Sequence, residues 1–330
     1  MKTLIEKIWE TGEYTYAAAY GFEPNIHAYL HDEDDKARDG IIIVPGGGYC
    51  MVVPPEAEIV AKTFYERGLN AFVLTYTTDI TMSVPLKKQP LNDIARAVRF
   101  VRSRAKDYSL TNKLIINGGS AGGHVCASLA VHFDDVPDSN PKYKDISARP
   151  DGVILNYPVI TTGEFTHIYS VWALLGQNAP AEEMDYFSLE KNVKADTPPC
   201  FIWQTRDDNL VPVENSYLFA AALKEKGVPY AHYVFPQGFH GLSVASVDFF
   251  KGDFGEPYTM EQVNRAVKAV KEGKGVNVSD QRRSELEAQF ADDAPPPPTS
   301  PETPEEQAAR YRDVAMWPDL AMVWILSLRA

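Results

Sequence analysis

Ser120 lies in Gly118-Gly119-Ser120-Ala121-Gly122, which fits the pattern G-x-S-x-G. In that pattern the serine hydroxyl is a candidate nucleophile. The glycines have a physical reason. A serine on a sharp turn brings the positions two before and two after it close together, and side chains there would collide. Taken alone the pattern is weak, because glycine-rich turns often follow strands. Its context strengthens it: Lys113–Asn117 reads as a strand directly before, and Val125–Phe133 as a helix directly after. The serine oxygen would then stand at the carboxyl end of a strand, beside the positive end of a helix.

Serine attacks poorly unless a base takes its proton. Seven histidines are available, and His240 is the best placed. It lies in Pro236-Gln237-Gly238-Phe239-His240-Gly241, a glycine-flanked loop after the last predicted strand. His124 falls within the helix after the serine and reads as a packing residue. His132, His167 and His232 sit in segments that suit structural histidines. His27 and His31 are four apart but span a strand end and a charged turn, without the helix and glutamate of a zinc-protease motif. The base in turn needs a carboxylate to orient it. Asp207 and Asp208, on the loop after the predicted strand Cys200–Gln204, can supply one, although an acidic pair on a loop is often only solvated or caps a helix.

Acyl transfer places negative charge on a carbonyl oxygen, so fixed N–H donors must meet it. The turn Val44-Pro45-Gly46-Gly47-Gly48-Tyr49 can bring backbone N–H groups close, and the amide of Ala121 adds another. The same glycines could form a tight turn or a phosphate loop. A dinucleotide fingerprint would need G-x-G-x-x-G opening a helix, whereas Val52, Val53, Pro54 and Pro55 follow. No Walker lysine follows any glycine run.

These parts need a scaffold. Asn25–Leu30, Ile41–Val44, Asn70–Thr77, Gly152–Tyr157 and Tyr230–Phe235 read as further strands. Helical spacing runs through residues 56–67, closed by Gly68, and through Glu214–Lys226, closed by Gly227. Leu91–Lys106 is strongly amphipathic, with Ile94, Val98 and Val101 on one face and Arg96, Arg99 and Arg102 largely opposite. Strands alternating with helices predict an α/β fold with a mostly parallel central sheet and helices on both faces. Residues 1–24 give no clear assignment. Beyond about residue 247 the texture changes. Residues 258–275 and 281–293 look like polar helices, and residues 294–307 (APPPPTSPETPEEQ) are expected to be neither helix nor sheet, because proline lacks a donor and fixes φ. Residues 317–330 form a very apolar final helix. The expectation is one domain over 1–330 with a helical, proline-rich insert at about 247–310. The insert starts close to His240, so it would wall or cap the site or meet a second subunit, with its proline-rich part as a surface strap.

The formal charge is -13, from 45 acidic against 32 basic residues. That balance argues against nucleic acid or an anionic membrane as partner. Cys50, Cys126 and Cys200 are too scattered for a disulfide framework or a cysteine-rich zinc site. The opening residues hold no apolar run of signal-peptide length, and no stretch approaches the roughly 20 apolar residues of a membrane span. A cytoplasmic protein with reduced thiols is expected.

The four chemical segments occur in the order glycine turn, Ser, Asp, His, each at the carboxyl end of its strand, where open α/β sheets place their sites. In VPGGGY (44–49), NGGSAGGH (117–124), TRDDNLVPVENS (205–216), FPQGFHGLS (235–243) and WPDLAMVWILSL (317–328), the chain resembles α/β-hydrolase esterases. The branch is the acetyl-xylan/feruloyl esterase-like one, related to the hormone-sensitive-lipase type. The resemblance covers about residues 20–245 and the final helix. It implies Ser120 as nucleophile, His240 as base and Asp208, four before Pro212, as the orienting acid. It implies Gly47, Gly48 and Ala121 as oxyanion donors. Pro45 replaces the histidine of the lipase-like relatives, and residues 247–310 depart from the branch, which runs straight to its last helix. The implied reaction is hydrolysis of a short-chain, acetyl ester of a sugar or xylo-oligosaccharide through an acyl-enzyme, with no cofactor and no metal. Tyr49 and Trp203 are expected near the substrate. An amide-cleaving relative (an arylformamidase or peptidase), a feruloyl esterase and a non-catalytic binding protein are the alternatives, and a homodimer is left open.

Overall fold

The run Ile41-Ile42-Ile43-Val44 sends alternate side chains to opposite faces of a sheet. In the computed structural model, which describes residues 1–291 and 300–328, both faces are covered. The strands are β1 (Lys2–Lys7), β2 (Asn25–Leu30), β3 (Arg38–Val44), β4 (Asn70–Thr75), β5 (Leu110–Gly119), β6 (Gly152–Asn156), β7 (Cys200–Thr205) and β8 (Tyr230–Phe235). Among the described residues these eight form one sheet in the order β1-β2-β4-β3-β5-β6-β7-β8. The β1–β2 and β2–β4 pairs are antiparallel, and the pairs from β4 through to β8 are parallel. The expected strands are therefore present. β1 was not anticipated: it is an edge strand whose side chains are exposed or half-buried in alternation.

The helices are α1 (Glu58–Tyr65), α2 (Gln89–Ser103), α3 (Ser120–His132), α4 (Ile168–Leu175), α5 (Ala181–Tyr186), α6 (Glu214–Lys226), α7 (Val247–Lys251), α8 (Glu261–Lys271), α9 (Asp280–Gln289), α10 (Pro304–Arg310) and α11 (Trp317–Ser327). Ile42, Phe72, Ile116 and Leu155 pack with α2, α3 and α6 on one face, where Val98, Leu129 and Phe219 meet them. Ile41, Val73, Ile115 and Phe201 pack with α1 and α11 on the other, against Phe64, Trp317 and Ile325. Because the strand period is two, a slip of one residue would exchange the faces, so the register is held by both layers at once.

Arg96 and Arg99 lie opposite the apolar stripe of α2, and that face is buried as well. Arg96 is 2% exposed, grips Asp138 through Nε and Nη2 at 2.6 and 2.8 Å and Glu13 through Nη1 at 2.6 Å, and lies between the rings of Trp9 and Tyr143. Arg99 donates to the carbonyls of Ile146 and Val136. The loop after α3 folds back over this face, and its carboxylate and carbonyls satisfy the guanidinium groups. Residues 304–310 are helical, against the expectation for the proline-rich stretch. Pro304 stands in the first turn, where no N–H is needed, and Thr303 and Glu306 form a capping box. Residues 294–299 of that stretch lie outside the described residues.

The described parts of the segment 247–310 pack in two places. Val263, Val267, Val270 and Leu286 of α8 and α9 form a small core with Ile80, joined by Cys50 and Met51 from the end of the glycine turn. Gln262 bonds with Thr78, and Arg282 donates to the Ile80 carbonyl. At the other end, Tyr311 stacks on Phe250 and meets Phe239, the neighbour of His240, edge-on. No helix among the described residues is long and apolar enough to cross a membrane.

Candidate active site

Ser120 opens α3 with a φ of +53°, a conformation most side chains avoid. The turn closes so tightly that a Cβ on Gly118 would overlap the Gly122 carbonyl, and one on Gly122 would overlap the Val44 carbonyl. The glycines thus allow contact between strand end, helix start and glycine turn, as their spacing predicts.

The three expected side chains meet. The Ser120 hydroxyl donates to His240 Nε2 at 2.8 Å, and His240 Nδ1–H donates to Asp208 Oδ2 at 2.8 Å. This tautomer follows from the carboxylate, which can only accept. Asp208 is held in turn: its Oδ1 accepts from the amides of Leu210 and Val211 at 3.0 and 2.9 Å. Its side chain is 0% exposed and that of His240 is 10% exposed. Asp207 instead points outward and pairs with Arg206. The His240 amide is fixed by Asn209 Oδ1 at 3.1 Å.

The glycine turn closes over the serine. A Cβ placed on Gly46 would lie 2.7 Å from that of Ser120. Gly47 and Gly48 have φ of +126° and +64°, and their amides have no acceptor among the described residues. The Ala121 amide belongs to the first turn of α3, where helical N–H groups lack intrahelical partners. Together these groups can meet an anion beside the serine. Among the described residues, no group of three or more His, Cys, Asp or Glu side chains is arranged to hold a metal ion.

Tyr49 and Trp203 need correction. Trp203 is 0% exposed. It donates to Asn156 Oδ1 and stacks on Trp317, on the α1/α11 face of the sheet. Tyr49 is 2% exposed, and its hydroxyl bonds inward to His124 Nδ1 at 2.7 Å. Tyr49 ends the glycine turn and Trp203 lies in β7, yet both side chains turn into the core.

Several residues near the site were not singled out from sequence. Tyr157, after β6, sets its ring edge-on to His240 at 5.1 Å between centroids. Glu56 is buried and accepts from the Gly46 amide at 2.8 Å. Burial pushes its carboxyl pKa up, against the pull of the Gly46 amide, the His240 charge and the Tyr157 hydroxyl. His167, just before α4, feels both His240 and Asp208, and its pKa is lowered, chiefly by burial. Ser170, its hydrogen-bond partner, would be 3.8 Å from a Cβ on Gly48. The start of α4 therefore borders the site, and Tyr169 there is 60% exposed. None of these has a local sequence signal, because their partners come from other loops.

Comparison with known proteins gives concordant matches. The BD-FAE family model matches residues 26–223. Endo-1,4-beta-xylanase B of Butyrivibrio fibrisolvens is 64% identical over 271 residues, covering 82% of this chain and 42% of that protein. Acetylxylan esterase of Xylanibacter ruminicola is 29% identical over 219 residues, 63% of this chain and 42% of that protein. The chain thus spans about two-fifths of the length of these curated relatives. Among solved structures, an acetyl ester-xyloside bifunctional hydrolase from Caldicellulosiruptor lactoaceticus has 35% identity and a TM-score of 0.69, covering 83% of this chain and 97% of that one. A carboxylesterase from Lactobacillus plantarum, at 21% identity and a TM-score of 0.64, covers 100% of this chain and 99% of its own and shares the fold.

Proposed function

The chain belongs to the BD-FAE family and has the α/β-hydrolase fold, and from that premise we propose that it is a serine carboxylic-ester hydrolase acting on short-chain, chiefly acetyl, esters of sugars or xylo-oligosaccharides. The observation that carries the reading is the unbroken relay Ser120–His240–Asp208, at 2.8 Å for each link, beside the unpaired amides of the glycine turn. In this reading His240 takes the Ser120 proton as the oxygen attacks the ester carbonyl. Asp208 holds the imidazole tautomer and stabilises the imidazolium. The amides of Gly47, Gly48 and Ala121 bind the oxyanion. His240 then protonates the departing alcohol, and activates the water that releases the acid. The sugar ester as substrate is supported by the names of the xylanase, acetylxylan esterase and acetyl ester-xyloside hydrolase relatives.

The same reading treats the chain as one unit, with the described parts of residues 247–310 as a wall beside the site. The cytoplasm is its proposed location, in keeping with three unpaired cysteines. The test is a panel of nitrophenyl acetate, butyrate and octanoate, acetylated xylo-oligosaccharides, a feruloyl ester and N-formylkynurenine. Acetate release from the sugars, abolished in Ser120→Ala, is expected. Faster turnover of octanoate, the feruloyl ester or the formamide than of any acetyl ester refutes the substrate. Activity that survives Ser120→Ala refutes the mechanism.

A further inference from the structure

Glu56 is a buried carboxylate at the centre of the site that the relay does not use. Its Oε2 accepts the Gly46 amide at 2.8 Å, at the root of the glycine turn. A Cβ on Gly119 would overlap the Glu56 carboxylate, so the residue before the nucleophile rests directly against it. The Tyr157 hydroxyl interacts with the carboxylate and accepts from the Ser243 amide at 3.2 Å. Oε1 would lie 4.0 Å from a Cβ on Gly241, the residue after His240. Ser243 also donates its hydroxyl to the Pro55 carbonyl at 2.7 Å, tying the histidine loop to the residue before Glu56. The glycine turn, the nucleophile turn, the end of β6 and the histidine loop therefore converge on one side chain.

The Gly46 amide can only donate to Glu56, and the Tyr157 hydroxyl can turn its one proton the same way. That donor set suits an ionised carboxylate. Its charge also lies within reach of the imidazole. The remaining titratable groups facing Glu56 are Tyr157 and Tyr76, and those facing His240 are Asp208, Tyr157 and His167.

We propose that Glu56 is a positioning residue for the ester-cleaving site: its buried carboxylate holds the oxyanion-binding glycine turn in register with Ser120 and His240, and its charge favours the imidazolium formed during attack. The proposal rests on the reading of Ser120 and His240 as nucleophile and base. It explains why Gly119 carries no side chain, and why a carboxylate is buried where an apolar residue would pack without desolvation cost.

The test is Glu56→Gln, with Tyr157→Phe as the second variant and the parent chain and Ser120→Ala alongside. Each is assayed on nitrophenyl acetate across pH 5–9 and with a fluorophosphonate probe. The glutamine keeps the shape and an acceptor for Gly46 but removes the charge. Glu56→Gln should lose about 10²-fold in kcat with KM within about twofold, because the substrate still docks but the imidazolium formed in the attack loses the facing charge and the Tyr157 hydroxyl meets an NH2 group in place of an oxygen. The carboxylate attracts the imidazolium, so its loss favours the neutral base. The acid limb of the kcat/KM profile should therefore move to lower pH, by about half a unit or more. Tyr157→Phe should reduce kcat in the same direction, by less. An active parent with an unchanged kcat and profile in Glu56→Gln overturns the proposal, as does a change confined to KM. Should Glu56→Gln fail to fold, Tyr157→Phe decides, and an unchanged kcat there overturns it. A parent that neither turns over the ester nor reacts with the probe at Ser120 sinks the esterase reading, and this proposal with it.

Discussion

Replacing Asp208 by asparagine should disable the site through a proton on the wrong nitrogen, and the geometry sets the size of the effect. Asp208 Oδ1 accepts two backbone amides, from Leu210 at 3.0 Å and Val211 at 2.9 Å, while Oδ2 faces His240 Nδ1 at 2.8 Å. An asparagine has one oxygen, and the two fixed amides claim it. Its NH2 group must then face Nδ1 and donate to it, which drives the imidazole proton to Nε2, the nitrogen that should receive the Ser120 proton. Turning the amide round would sacrifice both backbone bonds, at roughly 2–3 kcal/mol. That is about two decades of rate. Loss of the charge-assisted bond to the imidazolium removes roughly 1.5–3 kcal/mol more, a further one to two decades. Asp208→Asn should therefore cost about 10³–10⁴ in kcat. Asp207, exposed and paired with Arg206, should change kcat by no more than about twofold as Asp207→Asn. The assay is steady-state hydrolysis of nitrophenyl acetate, with active sites counted from the burst and folding checked by circular dichroism. A loss below tenfold in Asp208→Asn, or an equal loss in Asp207→Asn, would falsify the tautomer argument.

Two further predictions concern stability. Arg96→Met leaves Asp138, whose side chain is 4% exposed, as a buried charge without its partner. It should lower unfolding stability in urea by about 3–5 kcal/mol, and the double variant Arg96→Met, Asp138→Leu should regain most of it; a single variant as stable as the parent contradicts the buried pair. His124 has its pKa lowered to about 4, mainly by burial, with its Nε2–H given to the Phe187 carbonyl. An unfolded imidazole titrates near pH 6.5, so its contribution is complete above that pH and is lost as the pH falls toward 4. The loss is on the order of 3 kcal/mol, and urea midpoints between pH 7.5 and 4.5 should fall accordingly, with a shallower decline in His124→Gln. An equally steep decline in the variant would assign the effect to other groups.

The sequence carried the relay well because its parts are marked locally. The glycine pair around Ser120, the glycines beside His240 and the four-residue step from Asp208 to Pro212 each lie within one turn, and the strands before them show in β-branched runs. Side-chain direction was less legible. Trp203 lies on β7, the strand that leads into the aspartate loop, but the two-residue period turns it to the α1/α11 face, where Trp317 covers it. Arg96 and Arg99 lie opposite the apolar stripe of α2, and only the loop after α3 decides that this face is dry. Glu56 has no local mark, since Gly46, Gly119, Tyr157 and Gly241 reach it from four separate segments. The α10 helix did have one: Thr303, Pro304 and Glu306 spell a helix start that the surrounding prolines obscured. β1 (KTLIEK) does not alternate polar with apolar residues, and its unburied edge leaves little of a strand signal.

The Trp317 indole donates to the Ser243 carbonyl at 2.8 Å, across 74 positions of chain, and lies against Trp203 and Phe64. Ser243 belongs to the loop that carries His240 and supports Tyr157. The floor beneath the imidazole is therefore finished by a helix separated from that loop by the whole of the 247–310 excursion. During folding, the central strands can pair while this floor is still open, because closing so long a loop demands entropy before the contact rewards it. The proposed ester cleavage should accordingly return late in refolding, in step with the buried indole fluorescence of Trp203 and Trp317 rather than with the earlier recovery of helical circular dichroism.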